Sequence, residues 1–379
     1  MNDPSHEIHY IQTDGDLRDS LELWQQHRLV ALDTEFVRVN TYFPIAGLIQ
    51  VSAGGQSYLV DPIAVQDLSP LAELCTNSAV LKILHACSED LEIFQQLLNV
   101  VPEPMFDTQV AAAILGGSYS LGYQDLIKDA LGVNIPKGET RSDWLQRPLT
   151  ESQCHYAALD VSYLPQVYEL QQRELSQMKR LAWVAEDCDR LVSQQRKQTK
   201  SDEYYLKVKS AWKLDRRQLL VLQTLCSWRE EIAKKLNRPR NWIVAEQALV
   251  AIARERITDK TGLSSKADMT PRQIRNYGDQ LLDLSREARL VPEHDCPELL
   301  ERPAPRESGP MLRSLRELVN SKADELQIVP EVLAKKAQLQ ELLRSGSEAG
   351  DYNLPSALQG WRRDVIGQEL LMEVHVHDR

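Results

Sequence analysis

Two acidic side chains stand in the middle of an apolar run near the N-terminus. Residues 29–36, with the sequence LVALDTEF, are typical of a buried strand. Residues two apart on a strand point to the same face, so Asp33 and Glu35 lie side by side. Two like charges held that close in a dry setting raise each other's pKa, and a divalent cation that prefers oxygen ligands removes the conflict. The alternative is a strand end that dips into solvent with both acids exposed.

A second acidic signal follows the short apolar run at residues 81–85. There Ser88 is placed to cap a helix whose first turn holds Glu89 and Asp90. Acids in a first turn also stabilise a helix through its dipole, so capping alone is an alternative to a site.

Tyr156 and Asp160 stand four residues apart in a helical pattern. That spacing puts the phenol and the carboxylate on one face, which also carries apolar Leu164 and therefore points toward a core. The alternative is an exposed acid on a surface helix. A further acid, Asp107, precedes Thr108 and is typical of a helix N-cap.

These signals together supply four carboxylates, those of Asp33, Glu35, Asp90 and Asp160, from one strand and two helices. A set without histidine or cysteine favours Mg²⁺ or Mn²⁺ over zinc. Two such cations, about 3.5–4 Å apart, form the arrangement that clamps the attacking and leaving oxygens in phosphodiester cleavage. A phenol is a poor base at neutral pH, so we expect Tyr156 to orient the attacking water.

Length and composition restrict the class of protein. The chain has 379 residues, 42% hydrophobic and 26% charged, which is typical of a soluble globular protein with two or three domains. No apolar run approaches the roughly 20 residues that span a bilayer, and the N-terminus lacks the features of a signal peptide. The six cysteines form no C-x-x-C pair, which indicates reduced thiols and predicts a cytoplasmic protein.

The formal net charge of −11 is unevenly distributed. Residues 1–195 carry 12 Lys and Arg against 27 Asp and Glu, whereas residues 196–292 carry 21 against 12. A basic segment in an acidic protein predicts a polyanionic partner. Paired basic residues there are candidate phosphate contacts, with a solvated helix face as the alternative. These candidates are Arg216, Arg217, Lys234 and Lys235.

Strand-like and helix-like runs alternate in residues 1–195, which predicts an α/β domain with a mixed, partly antiparallel sheet. The predicted strands are residues 7–12, 29–36, 47–52, 56–60 and 81–85. The predicted helices are residues 17–27, 71–75, 90–98, 108–115, 123–131 and 152–176.

Beyond about residue 200 the patterns are helical, and they repeat weakly at an offset of 90 residues. Residues 225–236 compare with residues 315–326, on either side of a proline-rich stretch at residues 297–310 that is typical of a linker. We therefore predict an all-α domain followed by a second, shortened copy.

The acidic motifs resemble those of the ribonuclease D family, within the DEDDy group of 3′→5′ exonucleases. The motifs are Asp33-Thr34-Glu35-Phe36 followed by Leu48-Ile49-Gln50, then His85-Ala86-x-x-Glu89-Asp90-Leu91, then Asp143-Trp144-x-x-Arg147-Pro148 followed by Tyr156 and Asp160. The resemblance implies a ribonuclease H-like exonuclease domain over residues 1–195. In that domain the four carboxylates are the metal ligands and Tyr156 is the catalytic tyrosine.

The helical repeats resemble HRDC domains, all-α modules found in this family and in helicases of the RecQ type. The resemblance places one at residues 211–291 and a divergent second one at residues 308–375. The second copy lacks a counterpart of the pair Trp228-Arg229. One nuclease domain followed by two such repeats implies the bacterial ribonuclease D architecture.

The resemblance implies a metal-dependent 3′→5′ exoribonuclease that releases 5′-mononucleotides and trims the 3′ ends of tRNA precursors and other small structured RNAs. RNA with a free 3′ end is the expected partner, and a monomer is the default because no heptads appear. Further candidate RNA contacts near the acids are Phe36, His85 and Gln109, for which core packing or capping is the alternative. Two other functions stay open: a DNA 3′→5′ exonuclease, since no motif reveals recognition of a 2′-hydroxyl, and a catalytically silent RNA-binding scaffold.

Overall fold

The computed structural model describes residues 7–136, 138–139, 142–197, 199–301, 309–346 and 351–377. They form two compact units. The first unit contains the described residues of Met1–Val37, Ile45–Lys197 and Ala304–Arg379. The second contains those of Arg38–Pro44 and Gln198–Pro303.

A mixed sheet of six strands forms the centre of the first unit. The strands are β1 (Ile8–Ile11), β2 (Leu29–Val37), β3 (Ile45–Ala53), β4 (Gln56–Val60), β5 (Leu81–Leu84) and β6 (Met105–Asp107). Their order is β1-β4-β3-β2-β5-β6, with β3 antiparallel to both of its neighbours and the other pairs parallel. The predicted mixed sheet is confirmed. The sequence pattern does not predict β6, because its three residues are too few to show a period.

Helices cover the sheet. They are α1 (Asp14–Trp24), α2 (Ser69–Thr76), α3 (Ser88–Leu98), α4 (Thr108–Ile114), α5 (Tyr123–Leu131), α6 (Glu151–Ser162), α7 (Leu164–Gln177) and α8 (Leu181–Arg196). The single helix predicted for residues 152–176 is wrong, since α6 ends before Tyr163 and α7 begins at Leu164. Pro165 stands in the first turn of α7, where a missing backbone N–H costs least. Helix α8 is not among the predicted helices, although its Val184, Cys188 and Val192 are buried at a spacing of four residues.

The second unit contains the first helical repeat. Its helices are α9 (Arg216–Lys235), α10 (Arg240–Ile243), α11 (Glu246–Glu255), α12 (Lys260–Ser265) and α13 (Pro271–Leu290). The long helices α9 and α13 begin with capping boxes at Asp215 and Thr270, in which the cap side chain and a glutamine three residues on bond each other's backbone. Leu219, Leu222, Leu225 and Leu281 are fully buried between these helices and α11.

The second helical repeat lies in the first unit and consists of α14 (Gly309–Leu326), α15 (Pro330–Leu333), α16 (Lys336–Arg344) and α17 (Gln368–His377). It reproduces the first repeat at the predicted offset of 90 residues, because α15 and α16 begin 90 residues after α10 and α11. Both long first helices also end at a left-handed residue, Asn237 with φ 45° and Gln327 with φ 55°. The two all-α domains are thus confirmed as a tandem repeat.

The second helical repeat packs against helix α8. The rings of Trp183 on α8 and Trp361 stack with centroids 4.4 Å apart and an angle of 6°. Gly116 follows α4 with φ +105°, and a Cβ there would lie 2.5 Å from the carbonyl oxygen of Gln327. The described parts of residues 1–195 and 308–375 therefore share one compact unit, and their division into two domains stays a prediction.

The structure also bears on the predicted linker, the cysteines and the absence of membrane spans. Residues 302–308 of the predicted linker lie outside the described residues, and Pro310 belongs to α14. The cysteines are free thiols, and most of them are buried. No helix in the described part of the chain combines the length and apolar character needed to cross a bilayer.

Candidate active site

Strand β2 presents Asp33 and Glu35 on one face of the sheet, and both side chains are half-buried. The register with β3 places Gln50 directly across from Asp33 and Leu48 across from Glu35. A bulge between Glu35 and Phe36 then shifts the register. The two acids thus stand at the last regularly paired positions of β2.

Helix α6 brings Tyr156 and Asp160 over the same strands. It begins with a capping box in which Thr150 and Gln153 bond each other's backbone. The Tyr156 hydroxyl donates a hydrogen bond to the Asp160 carboxylate one turn later, as the spacing of four residues allows. Carboxylate oxygens of Asp33, Glu35 and Asp160 lie within 4.8 Å of one another.

Asp90 lies in the first turn of α3 and is buried, with 7% of its surface exposed. The hydroxyl of Thr34, which stands between the two acids of β2, donates to Asp90 Oδ1 at 2.5 Å. Asp90 is not within the 4.8 Å group, but its charge contributes to the raised pKa of Asp33 and of Glu35. The four carboxylates therefore act on one another, three of them at ligand-sharing distance.

The turn before α3 is held by Asp107, which the sequence predicts only as the N-cap of α4. The predicted Ser88 cap is wrong, since the helix begins at Ser88 and Cys87, the N-cap residue, makes no side-chain cap. The Asp107 carboxylate accepts the backbone N–H groups of Ala86 and Cys87 at 3.2 and 2.9 Å. Asp107 also caps α4, as predicted, so one side chain fixes the start of two helices.

Burial raises the pKa of every one of the four carboxylates, and repulsion by the others adds to it for Asp33 and Glu35. Burial first, then the charges of the other three, raises the pKa of Asp33 well above its usual range. Burial and the charges of Asp160 and Asp90 raise the pKa of Glu35 to about 9. Burial raises the pKa of Asp90 and of Asp160 to about 7. The arrangement is electrostatically expensive unless protons or cations neutralise it.

The donor set fits hard divalent cations. It offers carboxylate oxygens alone, which suits Mg²⁺ and Mn²⁺ rather than zinc. Gln50, across the strand from Asp33, is fully buried, and neither its amide nitrogen nor its amide oxygen has a hydrogen-bond partner among the described residues. An unpaired buried amide costs about 1–3 kcal/mol. A ligand shell beside Asp33 would recover that cost, so the orphaned amide and the crowded acids both fit a bound divalent cation.

A second network fixes the loop that leads into α6. Arg147 Nε and Nη2 donate to the two Asp61 carboxylate oxygens at 2.6 and 2.8 Å, and Nη2 also donates to the Gly47 carbonyl at 2.6 Å. Nη1 donates to the Trp144 carbonyl at 2.9 Å. A Cβ at position 47 would lie 2.5 Å from that carbonyl oxygen, so only glycine admits the loop. The loop is thereby tied to β3, the neighbour of the strand that carries Asp33 and Glu35.

The candidate RNA contacts near the acids are packed against their neighbours. Phe36 is half-buried. His85 Nδ1 lies 2.9 Å from the Thr108 hydroxyl, and its ring meets that of Tyr123 edge-on at 5.7 Å. The Gln109 side-chain amide donates to the Leu121 carbonyl at 3.0 Å. RNA contact by these residues stays a prediction.

The four basic candidates lie on α9 in the second unit. Arg216 donates to the carbonyls of Pro297 and Cys296 at 3.1 and 2.8 Å, and Arg217 pairs with Glu293 at 3.0 Å. These contacts hold the segment after α13 against α9. Lys234 lies 6.0 Å from the centroid of the Tyr42 ring, and Lys235 is exposed. The two lysines are therefore better placed than the two arginines for the predicted phosphate contacts.

Three segments of the chain match known protein families. Residues 8–176 match the family described as 3′-5′ exonuclease. Residues 218–284 match the HRDC domain family, and residues 310–370 match the family described as ribonuclease D, C-terminal HRDC domain.

Relatives that match over nearly the whole of both chains are ribonuclease D proteins. The chain is 47% identical to the ribonuclease D of Pseudomonas paraeruginosa over 96% of this chain and 97% of the relative. It is 37% identical to the ribonuclease D of Haemophilus influenzae over 94% of this chain and 90% of the relative. The crystal structure of Escherichia coli RNase D superposes with a TM-score of 0.91 at 31% identity and covers 100% of both chains.

Proposed function

Since this chain belongs to the ribonuclease D family of 3′→5′ exoribonucleases, we propose that it removes nucleotides from RNA 3′ ends with two divalent cations, Mg²⁺ or Mn²⁺. The proposed ligands are the four carboxylates. The proposed products are 5′-mononucleotides.

One observation carries the metal proposal. Carboxylate oxygens of Asp33, Glu35 and Asp160 approach within 4.8 Å, and every one of the four carboxylates has a raised pKa. Folded proteins rarely hold several acids that close without a compensating charge. Cations at this site would both stabilise the fold and perform the reaction.

The chain's own residues have distinct roles in this proposal. Bound cations would supply the Lewis acidity for activating water and for stabilising the leaving 3′ oxygen. The four carboxylates would hold them, and Thr34 orients one of these, Asp90, through its hydroxyl. Tyr156 keeps its proton, because burial and the charge of Asp160 raise the pKa of its phenol above the ordinary value. The protonated hydroxyl, whose single proton is directed to Asp160, would therefore orient the attacking water through its oxygen and would not be the base.

We further propose that the substrates are tRNA precursors and other small structured RNAs. Escherichia coli RNase D, which superposes along the whole chain, is described as an exoribonuclease involved in structured RNA processing. The basic first helical repeat supports a polyanionic substrate that extends beyond the reacting nucleotide.

A pair of labelled RNAs tests direction and metal dependence together. With Mg²⁺ or Mn²⁺, a 3′-labelled RNA should lose its label at once, whereas a 5′-labelled RNA should shorten stepwise. Chelator should stop both reactions. A 3′-blocked RNA that still released mononucleotides would refute 3′→5′ attack, and a matched DNA strand degraded at an equal rate would favour the DNA exonuclease alternative.

The Asp33→Asn variant separates this site from a contaminating nuclease. We expect it to lose at least roughly 10²-fold in rate, since it removes one charge aimed at the reaction centre. Asp125→Asn is the matched control, because Asp125 is an exposed acid in the first turn of α5 and belongs to none of the three acidic motifs. For the substrate proposal, a 3′-extended tRNA precursor should be trimmed to a discrete end, and degradation straight through the folded region would contradict it.

A further inference from the structure

A cavity of about 310 Å³ lies in the first unit between the exonuclease sheet domain, meaning the described part of residues 1–195, and the second helical repeat. One wall contains Ser88, at the start of the helix that carries Asp90. Gln109 and Tyr119 line it beside α4, and Lys335 lines it from the second helical repeat. A volume near 300 Å³ is at the small end of ligand sites and is large enough for one nucleotide.

The two acids that line the cavity already have partners. Asp187 forms a two-point ion pair with Arg362 at 2.5 and 2.7 Å. Asp107 accepts four backbone N–H groups, those of Ala86, Cys87, Gln109 and Val110. Lys335, in contrast, is exposed and forms no ion pair within the part of the chain that the structure describes. Lys335 is therefore the cation of this lining that is not already paired with an acid, and it is available to an anionic ligand.

An aromatic ring stands beside this positive charge. Tyr119 is 38% exposed, and the Lys335 ammonium lies 4.5 Å from the centroid of its ring. An exposed tyrosine ring offers a stacking surface to any base, and a lysine on a flexible stem can reach a neighbouring phosphate. The tyrosine ring therefore suits the base of a nucleotide, and the lysine ammonium suits its phosphate.

We propose that this cavity binds one nucleotide of the RNA substrate, with its base on Tyr119 and its phosphate at Lys335. The inference rests on the proposed exoribonuclease function and deepens it, because it gives the second helical repeat a direct contact with substrate. Gln109, a candidate RNA contact from the sequence, lines the same cavity. Ser88 on this wall stands two residues before Asp90, so the first turn of α3 contributes to both the cavity and the carboxylate site.

Binding of a fluorescent 12-nucleotide RNA to the full-length protein in chelator tests the proposal. Tyr119→Ala should weaken binding roughly 5- to 100-fold through the lost stacking, whereas Tyr119→Phe should bind like wild type. Lys335→Ala should reduce the slope of log affinity against log salt by about 0.7, the value for one phosphate contact on a single strand. Lys336→Ala is the matched control, since Lys336 is an exposed neighbour that does not line the cavity.

A second readout separates this inference from the proposed function. Hydrolysis of a nucleoside 5′-(p-nitrophenyl phosphate), which fills only the reacting position, should be unchanged in Lys335→Ala and Tyr119→Phe. Unchanged RNA affinity and salt slope in Lys335→Ala would overturn the cavity assignment while leaving the exonuclease intact. A wild-type protein that hydrolyses neither RNA nor the chromogenic ester would instead refute the proposed function.

Discussion

Arg362 of the second helical repeat and Asp187 of α8 form a two-point ion pair, with Nη1–Oδ1 and Nη2–Oδ2 distances of 2.5 and 2.7 Å. Both side chains are largely buried, with 12% and 14% of their surfaces exposed. Trp361 Nε1 donates to the same carboxylate at 3.2 Å. This cluster attaches the second helical repeat to the exonuclease sheet domain.

We expect Arg362→Met to lower the free energy of unfolding by about 3 kcal/mol, because it leaves the Asp187 charge buried and unpaired. Denaturant unfolding measures the loss. Arg286→Met is the control: its partner Asp283 and Arg286 itself are 54% and 68% exposed, so the cost should stay below about 1 kcal/mol. The double change Asp187→Leu with Arg362→Met should recover part of the loss. Equal losses of unfolding free energy in Arg362→Met and in the control Arg286→Met would contradict the role of burial.

Gln50→Leu should have opposite effects on stability and on metal binding. Leucine removes the unpaired buried amide, so we expect the chelator-treated protein to gain about 1–2 kcal/mol in unfolding free energy. The same change removes a polar group beside Asp33, and Mn²⁺ affinity should fall roughly 10- to 100-fold by titration calorimetry.

Gln171→Leu is the control for that experiment. Gln171 is similarly buried, but its amide nitrogen donates to the Thr108 carbonyl at 2.9 Å. It should lose stability and keep wild-type Mn²⁺ affinity. If Gln50→Leu also lost stability in chelator, the Gln50 amide would have a partner in solution and its link to the metal site would fail.

The metal-free protein should lose stability as the pH rises. Folding raises the pKa of Asp90 and of Asp160 from the ordinary 3.8 to about 7, so the folded state binds more protons than the unfolded state between these values. Glu35 extends this window upward, because its pKa rises to about 9. The stabilisation is complete below about pH 4 and is lost as the pH rises through these folded-state values.

Chemical denaturation in chelator across this pH range measures the decline. Asp160→Asn should flatten it, because the variant removes one titrating carboxylate and relieves its repulsion of Glu35 and Asp33. Saturating Mn²⁺ should flatten it as well, because cations replace the protons. Stability of the chelated wild type that rose between pH 5 and 9 would show that the carboxylates are not crowded in solution.

Local patterns were sufficient for most of the elements that carry the site. The prediction for residues 56–60 coincides with β4 and that for residues 123–131 coincides with α5, because each has a clear period and a turn signal at its ends. The pair on β2 and the spacing of Tyr156 and Asp160 also depend only on the period of their own element. These features are visible in the sequence because no distant residue decides them.

Other features depend on residues far apart in the chain. Asp107 takes the backbone groups of Ala86 and Cys87 and makes a Ser88 cap unnecessary, although it lies some twenty positions later. Gln50 matters through the register of β2 with β3, which no hydrophobic period specifies. Arg216 resembles a phosphate ligand in the sequence, yet carbonyls beyond α13 accept its donors.

Tyr156→Phe tests whether the phenol orients water or removes a proton. The ring packs beside Trp144 with centroids 6.2 Å apart, and a Cβ at Gly138 would lie 2.9 Å from it, so phenylalanine should keep the fold. The variant loses only the hydroxyl that bonds Asp160, and Mn²⁺ affinity should be unchanged. We expect the single-turnover rate to fall on the order of 10²-fold, the effect of a misplaced nucleophile.

The pH profile distinguishes the two roles, because the pKa of Tyr156 lies above the ordinary value for a phenol. A phenol that only orients water leaves the shape of the rate profile unchanged up to about pH 10, so wild type and Tyr156→Phe should give parallel curves. A phenol that acts as base would give the wild type an ascending limb that the variant lacks. Tyr10→Phe is the control, since its hydroxyl bonds Asp61 at 3.0 Å, outside the four carboxylates, and its rate should match wild type at every pH.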